Sequence, residues 1–186
     1  DECSLAGVVR AHAEAKEAGL PLIIGAHFHL QNPDGSPAPS LILLAQNREG
    51  YGNLSEFITL GRTRSEKGTY LLTPDDLADP APENAHLRHM PDCLAILLPP
   101  YPGHEAQDVD RLHAQAAWMA TTFPGRAWLG LTSLHRAFDD AHRATVEEVG
   151  WQHGLPIVAL GHVCMHVRSR KPLQDTLTAT RLNKAV

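Results

Sequence analysis

The chain has 186 residues, of which 43% are hydrophobic and 20% charged, and its formal net charge is −5. This composition is typical of a soluble globular protein, and the length is sufficient for one domain with its own core. No apolar run approaches the ~20 residues of a membrane helix, and the negative charge argues against a stand-alone nucleic-acid-binding surface. Asp1-Glu2 does not resemble a signal peptide, and three cysteines without a framework spacing favour the reducing cytoplasm.

Helices are predicted to alternate with short apolar strands along the whole chain. The helices are expected at 4–18, 50–64, 105–123, 139–153 and 171–183, with a further helix start at 73–76. The strands are expected at 22–30, 41–45, 93–98, 127–134 and 156–163, with a short one at 70–72. The Pro-rich segment 31–40 is expected to be a loop or hairpin connection, and 78–92 an exposed loop. This order predicts one α/β domain over residues 1–186, with a mostly parallel sheet that is open or closed into a barrel.

Two segments of the chain repeat one pattern and end in metal-binding side chains. Residues 19–29 and 154–166 both begin Gly-Leu-Pro, and in each a His follows six residues after Pro. The pattern predicts a helix that ends at Gly and a strand that Pro enters. Because residues two apart share one face of a strand, His27 can converge with His29, and His162 with Cys164 and His166. Imidazole and thiolate donors at strand ends favour a Zn²⁺-type site.

Other candidate residues have equally simple structural explanations. Asp1 and Glu2 precede a predicted helix, so either is able to cap that helix or to serve as a metal-binding carboxylate. His135 follows a predicted strand and is either a ligand or a loop residue. The basic segment 166–171 is either a phosphate contact or a solvated loop.

Three strings together resemble a known family. They are DECSLAGVV at 1–9, REGYGNLSE at 48–56 and MHVRSRKPLQDTLTA at 165–179. They are similar to the amino-terminal polymerase-and-histidinol-phosphatase (PHP) domain of error-prone DNA polymerases of the bacterial C family, relatives of the polymerase III alpha subunit. The resemblance covers essentially the whole chain.

The resemblance implies a PHP-type distorted (β/α)₇ barrel whose first strand, which carries a His-x-His motif in the metal-binding branch, would precede Asp1. It implies a role in damage-tolerant DNA synthesis and repair. The partner would be the polymerase core of the same chain, beyond Val186, and DNA would be bound through the full-length protein. None of the polymerase's own catalytic residues are expected here, and no membrane partner.

The resemblance also implies a divalent metal site (Zn²⁺, Mn²⁺ or Mg²⁺) whose ligands differ from the family pattern. The expected ligands are Asp1, His27, His135, His162 and Cys164. Asp1 matches the family's Asp, whereas Glu2 stands for His, His27 for Glu, His162 for Asp and Cys164 for His. Fewer carboxylates remove the bridging ligands of a multi-metal phosphoesterase, so a degenerate hydrolase site is expected.

Two alternatives remain open from the sequence. One is a free-standing metal-dependent phosphoesterase, or 3′–5′ exonuclease-like hydrolase, that uses the same ligand set. The other is a non-catalytic interaction module that buries one face against a partner domain.

Overall fold

The computed structural model describes residues 1–101, 108–161 and 163–185. The helices are α1 (Val8–Ala18), α2 (Arg48–Thr63), α3 (Asp75–Ala78), α4 (Val109–Thr122), α5 (Asp139–His153) and α6 (Lys171–Leu182), with 3₁₀ turns at Pro82–Leu87 and Arg168–Arg170. The strands are β1 (Gly25–Gln31), β2 (Pro37–Ala45), β3 (Cys93–Leu97), β4 (Ala127–Leu131) and β5 (Ile157–Ala159). No helix within these ranges is both long enough and apolar enough to cross a membrane.

The five strands form one open sheet in the order β1-β2-β3-β4-β5. The α/β class is confirmed, but the expectation of a mostly parallel sheet is wrong for its first half. β1–β2 and β2–β3 are antiparallel, whereas β3–β4 and β4–β5 are parallel. Within the described residues no pairing joins β1 to β5, so the sheet is not closed there.

The length and course of one connection explain the antiparallel pair β2–β3. Ala45 at the end of β2 pairs with Cys93 at the start of β3, so the segment between them leaves and re-enters the sheet at the same end of the strands. α2 carries the chain away from that end, and residues 64–92 bring it back. The alternation of helices and strands did not reveal this return segment, because only a 3₁₀ turn and the four-residue α3 interrupt it.

The core lies on one face of the sheet. Phe28 of β1 and Leu41 of β2 are fully buried there against Leu54 and Phe57 of α2 and Leu112 of α4. The Phe28 and Phe57 rings meet edge to face, with centroids 5.2 Å apart. Because strand side chains alternate, the neighbours of Phe28 in sequence point to the opposite face.

The outer edge of β1 is covered rather than open. Three outward backbone N–H groups of β1 find acceptors: His27 N donates to Asp1 O at 2.9 Å, His29 N to the Tyr70 hydroxyl at 2.8 Å and Gln31 N to Leu72 O at 2.9 Å. The segment 70–72, expected to be a strand, has no strand pairing. It protects the sheet edge through single hydrogen bonds instead.

The segment 78–92 is partly buried, contrary to the expectation of an exposed loop. Leu87 and Met90 are fully buried in the core. The Arg126 guanidinium donates to two carbonyl oxygens of the turn before β3 and to one at the start of β3: His89 O at 2.8 Å, Met90 O at 2.8 Å and Cys93 O at 2.6 Å. Arg126, directly before β4, thus donates to carbonyl groups that a regular helix or strand would pair with backbone N–H groups.

The Gly-Leu-Pro repeat has the helix ends predicted for it. Gly19 ends α1 with φ 66° and Gly154 ends α5 with φ 65°, both in the left-handed region that glycine adopts without strain. β5 begins directly after Pro156, but β1 begins only at Gly25. α1 begins at Val8 rather than Ser4, because the Ser4 hydroxyl accepts from Ala6 N in a local turn.

Candidate functional site

His27 and His29 share the face of β1 that points away from the core. Ala26, Phe28 and Leu30 are buried on the core side, whereas His27 is half-buried and His29 exposed. The two imidazole centroids lie 4.3 Å apart, edge to face. The prediction that the two rings share one face is confirmed.

A cavity of about 480 Å³ opens on this face. His27 and His29 line it together with Cys164, which follows β5. Its other walls are largely apolar and include Ile42, Leu98 and Leu160. The two repeated segments of the sequence therefore meet at one cavity.

That meeting was not obvious from strand order alone. Four strand spacings separate β1 from β5, which is about 19 Å in a flat sheet. The sheet must curl, or the segment after β5 must return over it, to bring His27 and Cys164 to one cavity. Leu160 N donates to Leu131 O at 2.8 Å, which fixes the start of that segment against β4.

His29 is held from two sides, although it is not among the five ligands that the family resemblance implies. Its Nδ1 lies 2.7 Å from Ser40 Oγ on β2, and its backbone N donates to the Tyr70 hydroxyl. A partner at one ring nitrogen orients the ring and leaves the other nitrogen as the site of ligation, as in many metal centres. The signal for His29 was its two-residue spacing from His27.

The Asp1 carboxylate contacts the start of a helix. Residues 1–3 run parallel to β1 beside His27, with Cys3 N donating to His27 O at 2.8 Å. The Asp1 carboxylate accepts from Gly7 N at 3.2 Å, at the start of α1. Asp1 is not among the described residues that line the cavity. The contact with the helix start is one of the two roles that the sequence leaves open for Asp1, the other being metal binding.

His135 is exposed in the turn between β4 and α5, with φ 58°. It is also not among the described residues that line the cavity with His27. His162 lies outside the described residues. The structure thus brings His27 and Cys164 together, with His29 added.

Carboxylates are missing from the described walls of this cavity, and among the described residues no three His, Cys, Asp or Glu form a metal-binding group. Imidazole and thiol donors suit Zn²⁺, whereas Mg²⁺ and Mn²⁺ favour carboxylate oxygens. The donor set of the described residues therefore does not fit a metal cluster bridged by carboxylates.

A second cavity of about 250 Å³ adjoins the first and shares Leu98 and Leu160 with it. Its rim is organised by Asp139, the first residue of α5, whose carboxylate accepts from Leu134 N at 2.8 Å and Arg136 N at 3.1 Å. Burial would raise the pKa of Asp139, but these hydrogen bonds outweigh it and hold the pKa well below its usual range.

Two aromatic rings in this second cavity depend on the same turn. The Arg136 guanidinium carbon lies 3.3 Å from the Tyr101 ring centroid, a cation–π contact. The His142 ring packs 5.2 Å from Tyr101, and burial, followed by the Arg136 charge, lowers the pKa of His142. Both effects favour the neutral form of His142.

The chain belongs to the PHP domain family, which matches residues 1–122. Over its full 186 residues it is 63% identical to an error-prone DNA polymerase of Bordetella parapertussis. It is 53% identical to the error-prone DNA polymerase of Burkholderia mallei over 193 aligned positions and 45% identical to that of Dechloromonas aromatica over 187. These matches include all of this chain but 17%, 18% and 16% of the three relatives, so the chain spans about one sixth of their length. The family indicated by the strings at 1–9, 48–56 and 165–179 is confirmed.

A solved structure from Bifidobacterium adolescentis, named a "putative metal-dependent phosphoesterase", is similar to 86% of this chain and 73% of its own, with 13% identity and a TM-score of 0.49. A likeness at this level carries no argument about function.

Proposed function

We propose that this chain is the amino-terminal PHP segment of an error-prone DNA polymerase and that it supports the polymerase core. The proposal rests on one observation: the chain aligns over its whole length, at 45–63% identity, with part of proteins that bear this name. The longer protein would add nucleotides to a primer during damage tolerance and repair in the cytoplasm, using residues outside this chain.

The finer architecture belongs to the same proposal. Residues 1–186 would be one domain, a distorted (β/α)₇ barrel whose first strand precedes Asp1. Two features support it. The strands β3, β4 and β5 are parallel, and residues that follow β3 and β5 line the same cavity as residues of β1. The parallel bridge between Glu2 and His27 is consistent with such a strand running beside β1.

The hydrolase site would be degenerate. The cavity offers His27, His29 and Cys164 where a two-metal phosphoesterase needs bridging carboxylates. Asp1 would join these only after a rearrangement that frees its carboxylate from Gly7 N. We therefore propose a segment whose role in the polymerase is structural.

Exposed apolar side chains support contact with the polymerase core. Val163 is 82% exposed, and Leu173 and Leu177, one turn apart on α6, are 51% and 59% exposed. Exposed apolar side chains of this size are typical of an interface. DNA would be bound through the full-length protein, to which the exposed basic residues Arg168, Arg170 and Lys171 would contribute a positive patch.

The experiment compares the full-length protein encoded by the source gene with its His27→Ala, Cys164→Ala and Leu177→Asp variants, assayed for primer extension and for 3′-end hydrolysis. We expect extension in the parent, unchanged extension in the two cavity variants, and weaker extension in Leu177→Asp because the core loses its support. His86→Ala, at an exposed histidine paired with Glu56 at 2.9 Å, is the matched control. A full-length protein that cannot extend a primer would refute the proposal.

A metal-dependent phosphoesterase is the second candidate, because two imidazoles and a thiol line one cavity. Zn²⁺ fits these donors better than Mg²⁺ or Mn²⁺. This candidate predicts that Zn²⁺ supports hydrolysis of a phosphodiester. His27→Ala and Cys164→Ala should each abolish that activity, whereas His86→Ala should retain it. Hydrolysis that ignores both cavity substitutions would exclude this candidate.

A further inference from the structure

Two histidines meet between the helices α4 and α5. Nδ1 of His113 lies 3.1 Å from Nε2 of His153, and the ring centroids are 5.3 Å apart at 53°. Both residues are half-buried, so the two rings have a defined geometry but remain reachable from solvent. A neutral pair shares one N–H between these nitrogens.

We propose that His113 and His153 form a binding site for a divalent transition ion such as Zn²⁺, Ni²⁺ or Cu²⁺. Two nitrogens that each lie about 2.1 Å from one ion are ~3.0 Å apart at a right angle and ~3.4 Å apart at the tetrahedral angle. The observed 3.1 Å falls between these values. The ion therefore fits between rings that are already close, after a small rotation that aims both lone pairs at it.

The proton balance of this step is simple. Of the two nitrogens, the one that donates the hydrogen bond gives up its proton, and the other nitrogen of the same ring takes one up. A neutral pair thus binds the ion without net release of protons. Protonation of both rings competes with the ion, so binding weakens in acid.

The local charge favours a cation. His153 is the last residue of α5, where the carbonyl groups of the helix end carry partial negative charge. Asp110 lies three residues before His113 on α4, a spacing that places both on one side of that helix. Among the described residues no third donor completes a group, so water would fill the remaining positions and the ion would exchange readily.

This site is separate from the cavity beside His27. Leu112 and Ala116 of α4 and Val146 and Val149 of α5 pack in the core with Phe28. The side chain of His27 lies on the opposite face of β1 from Phe28. An ion between His113 and His153 would therefore link two helices on the core side of the sheet and stabilise their packing.

The test titrates the purified chain with ZnCl₂ and measures the thermal unfolding midpoint and the bound zinc. We expect zinc at saturating concentration to raise the midpoint by several degrees, because the ion binds the folded state. His113→Gln and His153→Gln should each weaken this zinc binding at least tenfold and remove most of the shift. His86→Gln is the matched control and should retain the shift.

A cavity variant separates the two possible zinc sites. The double variant His27→Ala and Cys164→Ser should keep the part of the shift that depends on His113 and His153. A second measurement needs no substitution: zinc should protect His113 and His153 from carbethoxylation by diethyl pyrocarbonate, as read by mass spectrometry. Zinc affinity unchanged in both glutamine variants, or modification of both rings at the same rate with and without zinc, would overturn the proposal.

Discussion

The Tyr70 hydroxyl lies 3.0 Å from a carboxylate oxygen of Glu2 and accepts from His29 N at 2.8 Å on its other side. One phenol therefore joins the first residues of the chain to the edge of β1. Burial, together with the Glu2 charge, raises the pKa of Tyr70 to about 12 despite the hydrogen bond from His29. The hydroxyl keeps its proton, and with it the donor to Glu2, across the physiological range.

We expect this chain to lose stability as the pH rises from about 10 to about 12. The unfolded state releases the Tyr70 proton near the ordinary pKa of ~10, whereas the folded state holds it to about 12, so the folded state binds more protons in that window and the free energy of unfolding falls. Absorbance at 295 nm and denaturation at each pH measure this. Tyr70→Phe should remove its share of the high-pH transition, and Tyr51→Phe, at an exposed position of α2, is the comparison variant. An identical titration in Tyr70→Phe and the parent would contradict the assignment.

Arg62 is expected to hold the first residues in place. Its guanidinium donates to Glu2 O at 3.2 Å, Cys3 O at 3.0 Å and Thr69 O at 3.1 Å, and it lies 5.2 Å from the Tyr70 ring centroid. Lysine cannot reproduce this planar set of donors. Arg62→Lys should lower the free energy of unfolding by about 1–3 kcal/mol, because part-buried carbonyl groups lose their partners.

Chemical denaturation and hydrogen exchange test this expectation. Exchange at the amides of Cys3 and His27 should become faster in Arg62→Lys, since both lie in the pairing that Arg62 supports. Arg10→Lys, on exposed α1, is the control and should change neither measurement. Unchanged protection at both amides would refute the role assigned to Arg62.

Gly50 and Gly52 of α2 should respond oppositely to alanine. A Cβ at Gly50 would clash with the backbone oxygen of Asp92, whereas a Cβ at Gly52 meets nothing within 4 Å. Gly50→Ala should cost about 1–3 kcal/mol or more through overpacking, and Gly52→Ala should stabilise by up to ~1 kcal/mol through helix propensity. Urea denaturation of both variants decides, and equal effects would show that α2 does not pack closely on the turn before β3.

Thiol reactivity should single out Cys164. Burial raises the pKa of Cys93 to about 11, and its thiol donates to Gly50 O at 3.4 Å; burial also raises the pKa of Cys3. Because the thiolate is the reactive form, both buried thiols should resist Ellman's reagent at pH 8, whereas exposed Cys164 should react. We expect one fast thiol in the native protein, none in Cys164→Ser and three in denaturant. Fast labelling of Cys93 would mean that β3 opens readily.

Local pattern predicted the elements well where the physics is local. For α5 the pattern indicates the bounds that the structure has, 139–153, because apolar periodicity, an acidic first turn and a terminal glycine all agree there. For β3 and β4 the pattern is correct within a few residues, because each is a short apolar run between turn residues. The strand expected at 70–72 is wrong: its few apolar residues resemble a strand, but its hydrogen bonds go singly to β1 and α2.

The sequence by itself determined the family, the alternation of helices and strands, and the placement of His27 and His29 on one face of a strand, since each depends on residue identity and short-range spacing. Only the tertiary structure decided that β2 runs antiparallel to β3, that Cys164 lines the same cavity as His27, and that the Asp1 carboxylate accepts from Gly7 N. Those outcomes depend on where long connections return and on which donor lies nearest to a carboxylate. Residue spacing along the chain does not fix such distances, because the folding of the intervening segments decides them.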